Sequence, residues 1–374
     1  MPRSAVLEVK DGGLVAGINS FLSSLLEKEL LDALLVPLKL PSKDVVAAAL
    51  VSDPEMLKSA NPLAPVMPVS TARIVSSMTK IAPSQKKVGI VLRSCELRAL
   101  VELVKLKQAS LDNLVLIGID CYGTYSVADY EEFCGETPAL AEELIKKGGA
   151  DPRLREACQV CELPTPLNAD LFIGLIGMET DKRFLVSATS PEGERILEAL
   201  ELGEGDSGEA KKREAAISEL TALRTGKKKE LFGKYQGELS GLDNLLSALA
   251  SCINCHNCRI ACPLCYCKEC FFDSPTFEWE AEKYLGWADK RGALRMPTDS
   301  LLFHLTRLNH MVASCVGCGL CQEACPNGID VFPIFRMVGD EVQKSFDYVP
   351  GRSLEEELPL SVFREDELGE VGVQ

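Results

Sequence analysis

Cys252-Ile-Asn-Cys255-His-Asn-Cys258-Arg-Ile-Ala-Cys262-Pro263 is echoed, after an insert, by Cys315-Val-Gly-Cys318-Gly-Leu-Cys321-Gln-Glu-Ala-Cys325-Pro326. Both stretches have the spacing C-x2-C-x2-C-x3-C-P. Three closely spaced thiolates wrap a loop around one face of an iron–sulfur cubane. The fourth lies too far along to close the same cubane and ligates the other one. The spacing therefore predicts two [4Fe–4S] clusters: cluster A on Cys252, Cys255, Cys258 and Cys325, and cluster B on Cys315, Cys318, Cys321 and Cys262. The proline after each fourth cysteine suppresses the competing helix. Zinc also takes four thiolates, but through pairs of C-x2-C, not triplets followed by C-P.

Eleven of the sixteen cysteines lie within residues 246–345. The insert between the motifs carries the helical pattern Thr298–Val312. Cys265, Cys267 and Cys270 read as small, soft residues packed beside a cluster; ligation of another metal, or replacement of a ligand, is the alternative. His256 lies inside a cluster loop, placed to hydrogen-bond its cluster or to meet solvent. His304 and His310 read as ordinary helix residues. Residues 201–245 are rich in Gly, Glu, Asp and Lys, and predict a charged connection with a solvated helix over Glu209–Leu223. Gly203-Glu-Gly205-Asp-Ser-Gly208 has the letters of a dinucleotide fingerprint. It follows a helical pattern, not a strand, and its acids would repel a pyrophosphate. The tail, 346–374, is acidic and without periodicity, and is expected to order only against a partner.

Residues 1–200 alternate strand and helix patterns. The strands are Ala33–Leu38, Val88–Leu92, Leu114–Ile119, Leu171–Ile176 and Phe184–Ala188; the helices include Leu14–Leu26, Ala72–Ile81, Leu97–Lys107 and Ala139–Lys147. This predicts an α/β domain with a mostly parallel sheet, followed by the region of the two cluster motifs. Cys95 and Cys121 follow predicted strands, and Cys158 and Cys161 precede one. Parallel strand ends gather at one edge, where ligands bind. A bound metal and buried free thiols both remain open readings of these four. Gly12-Gly13 opens a helix and lets main-chain N–H groups approach a phosphate, or simply turns the chain. Arg93, Ser94 and Arg98 flank a second helix start, where the arginines read as ligand contacts or as surface charge.

The chain has 374 residues, 46% of them apolar, and a net charge of −15. That charge argues against a nucleic-acid partner. Neither a leader-like start nor an apolar run long enough for a membrane span is visible, which predicts a cytoplasmic protein. In that setting sixteen cysteines point to metal or redox chemistry, not disulfides.

The run Cys325-Pro-Asn-Gly-Ile-Asp-Val, with the long insert, resembles the α-helical ferredoxin domain of the heterodisulfide reductase small subunit and the succinate dehydrogenase iron–sulfur subunit. Residues 1–200 resemble the beta subunit of coenzyme F420-reducing hydrogenase and of the related formate dehydrogenase. Four stretches carry that likeness: Asp11-Gly12-Gly13-Leu14-Val15, Ser94-Cys95-Glu96-Leu97-Arg98-Ala99-Leu100, Ile117-Gly118-Ile119-Asp120-Cys121, and Cys158-Gln-Val-Cys161 with Ala169-Asp170, Gly174 and Gly177. Ser94 stands where the family has Pro, and the ferredoxin part is C-terminal where many relatives carry it first or lack it.

The resemblance implies FAD, a deazaflavin coenzyme and a third [4Fe–4S] cluster on Cys95, Cys121, Cys158 and Cys161, with Cys134 left as a core thiol. Gly12, Gly13, Arg93, Ser94 and Arg98 are then the expected FAD contacts. The expected function is an iron–sulfur flavoprotein subunit of an anaerobic redox complex. It would move electrons between a hydride-carrying coenzyme, F420 or NAD(P)H, and a partner such as formate dehydrogenase, hydrogenase or heterodisulfide reductase. The competing readings are a non-catalytic electron wire that only docks partners, and a zinc-bearing assembly protein.

Overall fold

The structure, a computed structural model, describes residues 3–9, 12–41, 45–137, 139–202, 207–277, 280–292 and 299–361. The described strands are β1 (Ser4–Glu8), β2 (Ala33–Lys39), β3 (Val46–Val51), β4 (Val88–Arg93), β5 (Leu114–Ile119), β6 (Leu171–Gly174) and β7 (Arg183–Ala188). They form one sheet in the order β1-β7-β6-β5-β4-β2-β3. The inner strands β2, β4, β5 and β6 are parallel. β3 pairs antiparallel with β2, β7 with β6, and β1 with β7. β1 therefore runs the same way as the parallel core, and its C-terminal end opens at the same edge.

Two helical layers cover the sheet, which is why its inner strands read as unbroken apolar runs. Leu34, Val36, Val91, Ile117 and Ile173 face α1 (Gly13–Glu27) and α7 (Pro191–Ala199). Alternate residues, Ala33, Leu35, Ile90, Leu92 and Leu116, face α2 (Thr71–Thr79) and α3 (Ser94–Lys105). The period of two along each strand separates these sets. Short helices α4 (Val127–Glu136), α5 (Leu140–Lys146) and α6 (Glu156–Gln159) lie in the connection from β5 to β6.

The 32-residue α8 (Ser207–Glu238) lies where a solvated linker helix is expected, and most of it is exposed, but one face docks. Glu209, Arg213, Leu220, Arg224 and Tyr235 are buried, spaced so that one stripe docks. Arg213 holds buried Asp120, Arg224 donates to the Tyr122 carbonyl at 2.7 Å, and the Tyr235 hydroxyl bonds Asp330 at 2.8 Å. Charged residues anchor this stripe, so composition alone resembles a solvated face. Gly177, at φ +81°, lets α8 settle on the sheet edge: a Cβ there would lie 2.7 Å from the Arg213 Cα. The rejected fingerprint begins at Gly203, and 203–206 lie outside the described residues.

The C-terminal region contains α9 (Leu242–Ala248), α10 (Asn257–Ala261), α11 (Ala281–Arg291), α12 (Ser300–Met311), α13 (Leu320–Glu323) and α14 (Val331–Ser345). Its Leu249, Leu264, Met311, Val316 and Phe335 join the core of the α2–α3 layer. Beyond α14 the chain turns back onto α3. The Tyr348 hydroxyl donates to buried Glu102 at 2.6 Å, and the Gly351 amide donates to the same oxygen at 2.8 Å. The first part of the tail is thus ordered by this chain's own α3, which corrects the expectation that it needs a partner; residues 362–374 lie outside the described ones.

Candidate functional site

The sheet's C-terminal edge carries the loop after β1 with Gly12 and Gly13, the α3 start with Arg93, Ser94 and Cys95, and Cys121 just after β5. Asp120 fixes this edge. Its carboxylate accepts from the Leu175 and Ile176 amides at 2.8 and 2.9 Å and from Arg213. The Cys121 amide donates to the Pro164 carbonyl at 2.8 Å, which returns the Cys158–Cys161 loop to the same edge.

Four thiols meet there. Cys95 is pushed well above its ordinary pKa, first by burial, then by Glu96, Cys121, Cys318 and Cys161. Burial and the neighbouring Cys158 and Cys161 thiols push Cys121 up to about 11 against the pull of Arg93 and Arg224. Burial acts to raise Cys158 too, but Arg155 and the Thr124 hydroxyl and amide bring it below its ordinary value. Thr124 N and Oγ1 each lie 3.3 Å from the Cys158 sulfur.

In the C-terminal region the motif thiols fall into two neighbourhoods. Cys252, Cys255 and Cys258 line a cavity together with Cys325, the last cysteine of the other motif. His256, Phe303 and His304 complete it. Burial, opposed by Arg307 and reinforced by Cys252, Cys255 and Cys325, raises the Cys258 thiol. Cys315, Cys318 and Cys321 are each raised by burial and by Cys262, the last cysteine of the first motif, with Cys321 reaching about 12.

The Cys95 and Cys315 groups are not separate. Gly319, in the Cys315–Cys325 loop, has φ +73°, and a Cβ there would lie 2.4 Å from the Ala157 Cβ on α6. Gln322 donates to Glu156 at 3.1 Å, and Phe332 packs on Ala157 and Val160. The Cys315 group therefore lies between the Cys95 group and the Cys252 group.

The donor set fits iron–sulfur cubanes. Each group offers four soft thiols, all but Cys255 at least partly buried, with guanidinium groups beside them to offset anionic charge. Several buried donors in these shells have no hydrogen-bond partner, among them Arg155 Nη1, Arg307 Nε and Nη1, and Ser94 Oγ. Among the described residues no three His, Cys, Asp or Glu side chains converge to hold one metal ion. A cubane needs no such point, because its four thiolates bind separate irons.

The five expected flavin contacts are not brought together to the same degree. Arg93 lines a cavity with Asp120, Cys121, Tyr122, Gly123 and Leu175, and donates to the Ala64 carbonyl at 2.5 Å. Gly12, at φ +111°, caps α1, and Gly13 has open space around it. Ser94 is buried beside Cys95. Arg98 departs from the expectation. It is buried, and its Nη2 donates to the Val316 carbonyl in the Cys315 loop at 3.0 Å. α3 packs against the ferredoxin part, so a residue one turn into the helix faces that part, not the sheet edge.

The 4Fe-4S dicluster domain family matches residues 248–329. The F420-dependent formate dehydrogenase subunit beta of Methanocaldococcus jannaschii is 27% identical, with 93% of this chain and 96% of the relative covered. The F420-dependent formate dehydrogenase 1 subunit beta of Methanococcus maripaludis is 26% identical, over 95% of this chain and 94% of its own length. The chain is a homologue of these beta subunits. A chain of the F420-reducing [NiFe] hydrogenase complex from Methanosarcina barkeri aligns with a TM-score of 0.46 at 12% identity, covering 64% of this chain and 94% of that one. No helix among the described residues is long and apolar enough to cross a membrane.

Three features of this homologue escape the sequence reading. His304 is no ordinary helix residue: its Nε2 lies 3.4 Å from the Cys252 sulfur, and burial first, then Arg307 and His256, hold its pKa down to about 4. Arg307, one turn along α12 and on the same face, lies near enough to the thiols of both C-terminal groups to feel their charge. Arg155 and Arg224 brace the Cys95 group. The i, i+3 spacing of His304 and Arg307 inside the insert is the one signal that marks two of them. His256 keeps a local role, with Nδ1 2.6 Å from Asp273 and its ring stacked on Phe303.

Proposed function

We propose that this chain is the iron–sulfur electron-transfer subunit of an F420-linked redox complex, and that it holds three [4Fe–4S] clusters and one FAD. The observation that carries the reading is the exchange of last cysteines. Cys325 joins the Cys252 group and Cys262 joins the Cys315 group, an arrangement that suits two neighbouring cubanes. Bound to such groups, cubanes carry single electrons, and a flavin converts a hydride into two of them.

The residues take distinct parts. Cys95, Cys121, Cys158 and Cys161 hold the third cluster at the sheet edge, and burial keeps water from it. Gly12, Gly13, Arg93 and Ser94 hold FAD on that edge, the glycines offering main-chain N–H groups to its phosphates. Arg98 is reassigned to bracing the Cys315 loop. The groups lie in the order Cys95, Cys315, Cys252, so the wire runs from the sheet edge through cluster B to cluster A. Cys255 is exposed at the far end, which suits docking of a partner subunit. By similarity to the relatives, that partner is a formate dehydrogenase catalytic subunit, and the coenzyme is F420.

Metal, sulfide and flavin analysis of the anaerobically purified chain tests this reading. The expected result is about twelve irons and one FAD per chain, with flavin bleaching by reduced F420 and not by NADH or NADPH. About eight irons, no flavin and no bleaching by any donor would leave the non-catalytic wire. Zinc without sulfide would end both readings.

A further inference from the structure

Two arginines have no part in the reading above and share an unusual position. Arg307 is 4% exposed and Arg155 7% exposed. Among the described residues no carboxylate lies within salt-bridge distance of either. Arg307 stacks over Phe335 at 4.4 Å, lies beside the Cys321 thiol, and leaves Nε and Nη1 without partners. Its neighbours are Cys321 and Cys262 from one group, Cys258 from another, and Cys265. Arg155 donates from Nε to Thr124 Oγ1 at 2.9 Å and places Nη2 3.7 Å from the Cys158 sulfur, while Nη1 is unpartnered. Its surroundings combine Cys158 and Cys95 with Cys318 and Glu323 from the neighbouring loop. Each arginine thus occupies one of the two junctions in a row of three thiol groups.

A buried guanidinium without a counter-ion is costly. Four thiolates around a cubane carry net negative charge, which grows on reduction. A cation placed between two such centres favours the reduced form of both, because Coulomb attraction in a dry interior reaches each. A cation beside one centre alone would tune only that one.

We infer that Arg155 and Arg307 are junction cations, positioning residues that each raise the reduction potentials of the two clusters they separate. Arg307 serves A and B; Arg155 serves the Cys95 cluster and B. Cluster B, flanked by both, is tuned from two sides. This rests on the three-cluster reading.

The test is an anaerobic redox titration of the holoprotein followed by EPR, after iron and sulfide analysis. Signals are assigned with Cys95→Ser, Cys252→Ser and Cys315→Ser variants. Arg307→Met is expected to lower the midpoint potentials of A and B and leave the Cys95 cluster in place. Arg155→Met is expected to lower those of the Cys95 cluster and B and leave A unmoved. Arg307→Lys and Arg155→Lys, which keep the charge, are expected to recover part of each shift. Iron-replete Met variants with unshifted potentials, or with all three shifted alike, would overturn the inference. So would loss of iron from both the Met and Lys variants at one position, which assigns that arginine a structural role. A wild-type chain with fewer than three cubanes fails earlier, at the reading beneath the inference.

Discussion

The Cys252–Cys325 region and the Cys95–Cys161 region solve one problem, gathering four thiols, by opposite means. In the first, three of every four cysteines lie within one short loop, and the fold has only to bring two loops side by side. In the second, the four are scattered over residues 95–161 and meet because β4 and β5 are adjacent parallel strands whose C-terminal ends share an edge. The local device is written in the spacing. The distributed one depends on the sheet, and so on every strand and helix that holds that edge in register. The ferredoxin groups should therefore tolerate perturbation of the sheet, whereas the Cys95 group should not.

Removal of ligands separates the two regions most sharply. Cys121→Ser is expected to lose about four of twelve irons while the ferredoxin signals persist. Cys318→Ser, by contrast, is expected to lose cluster B and weaken the Cys95 cluster too, since Gly319 rests on Ala157. Iron analysis with EPR decides; equal and independent losses would dissolve the contrast.

Glu102 comes next. It is fully buried, and its carboxylate holds Lys105 at 3.1 Å as well as Tyr348 and Gly351. Breaking such a buried set by Glu102→Ala is expected to cost about 3–5 kcal/mol in chemical denaturation and to release the Tyr348 segment to proteolysis. A smaller effect follows from Gly319→Ala, which adds a Cβ against Ala157 at a positive φ. It is expected to cost about 1–3 kcal/mol and to make cluster B more labile to chelators while cluster A stays intact.

The smallest effect lies in the shell of the α/β region and has a defined pH signature. Arg153 above all, against the opposing effect of burial, holds the Asp151 carboxyl well below the usual carboxylate range; the Tyr125 hydroxyl assists. Because the folded pKa is depressed, the unfolded chain takes up the proton first. The stabilisation is complete above the unfolded value of about 4 and is lost as pH falls from there toward the folded value. Asp151→Asn is expected to cost about 1 kcal/mol near neutrality, with the variant and the wild type converging in acid. Parallel stability curves down to low pH would contradict this assignment.

How much was legible follows the same division between local and distributed information. The inner strands stand out because two covered faces leave no polar positions, as in Leu114–Ile119. β1 and β3 do not. Ser4–Glu8 ends on a charge, and Val46–Val51 contains three alanines with no β preference; both lie at sheet edges, where pairing and not pattern makes the strand. The dicluster region stands out from spacing alone, because a loop around a cubane fixes distance along the chain. The docking of α8 was not, since its anchors Arg213 and Arg224 look like surface residues until Asp120 and the Tyr122 carbonyl are in place. Arg98 misled for the same reason: nothing in its neighbours says which side of α3 will be covered. His304 reads as an ordinary helix residue because its partner Cys252 lies 52 residues away, and Arg155, although only three residues from Cys158, takes its place through Thr124 on another loop.

The exchange of last ligands is the claim on which the arrangement of the wire depends, and three single substitutions test it. Cys262→Ser, Cys315→Ser and Cys252→Ser are compared by EPR of the reduced, anaerobically prepared chain. Cys262→Ser is predicted to remove or alter the same signal as Cys315→Ser, although Cys262 is only ten residues from Cys252, and to leave the signal that Cys252→Ser removes. If Cys262→Ser instead strikes the Cys252 signal and spares that of Cys315, each motif closes on its own cluster and the account is wrong.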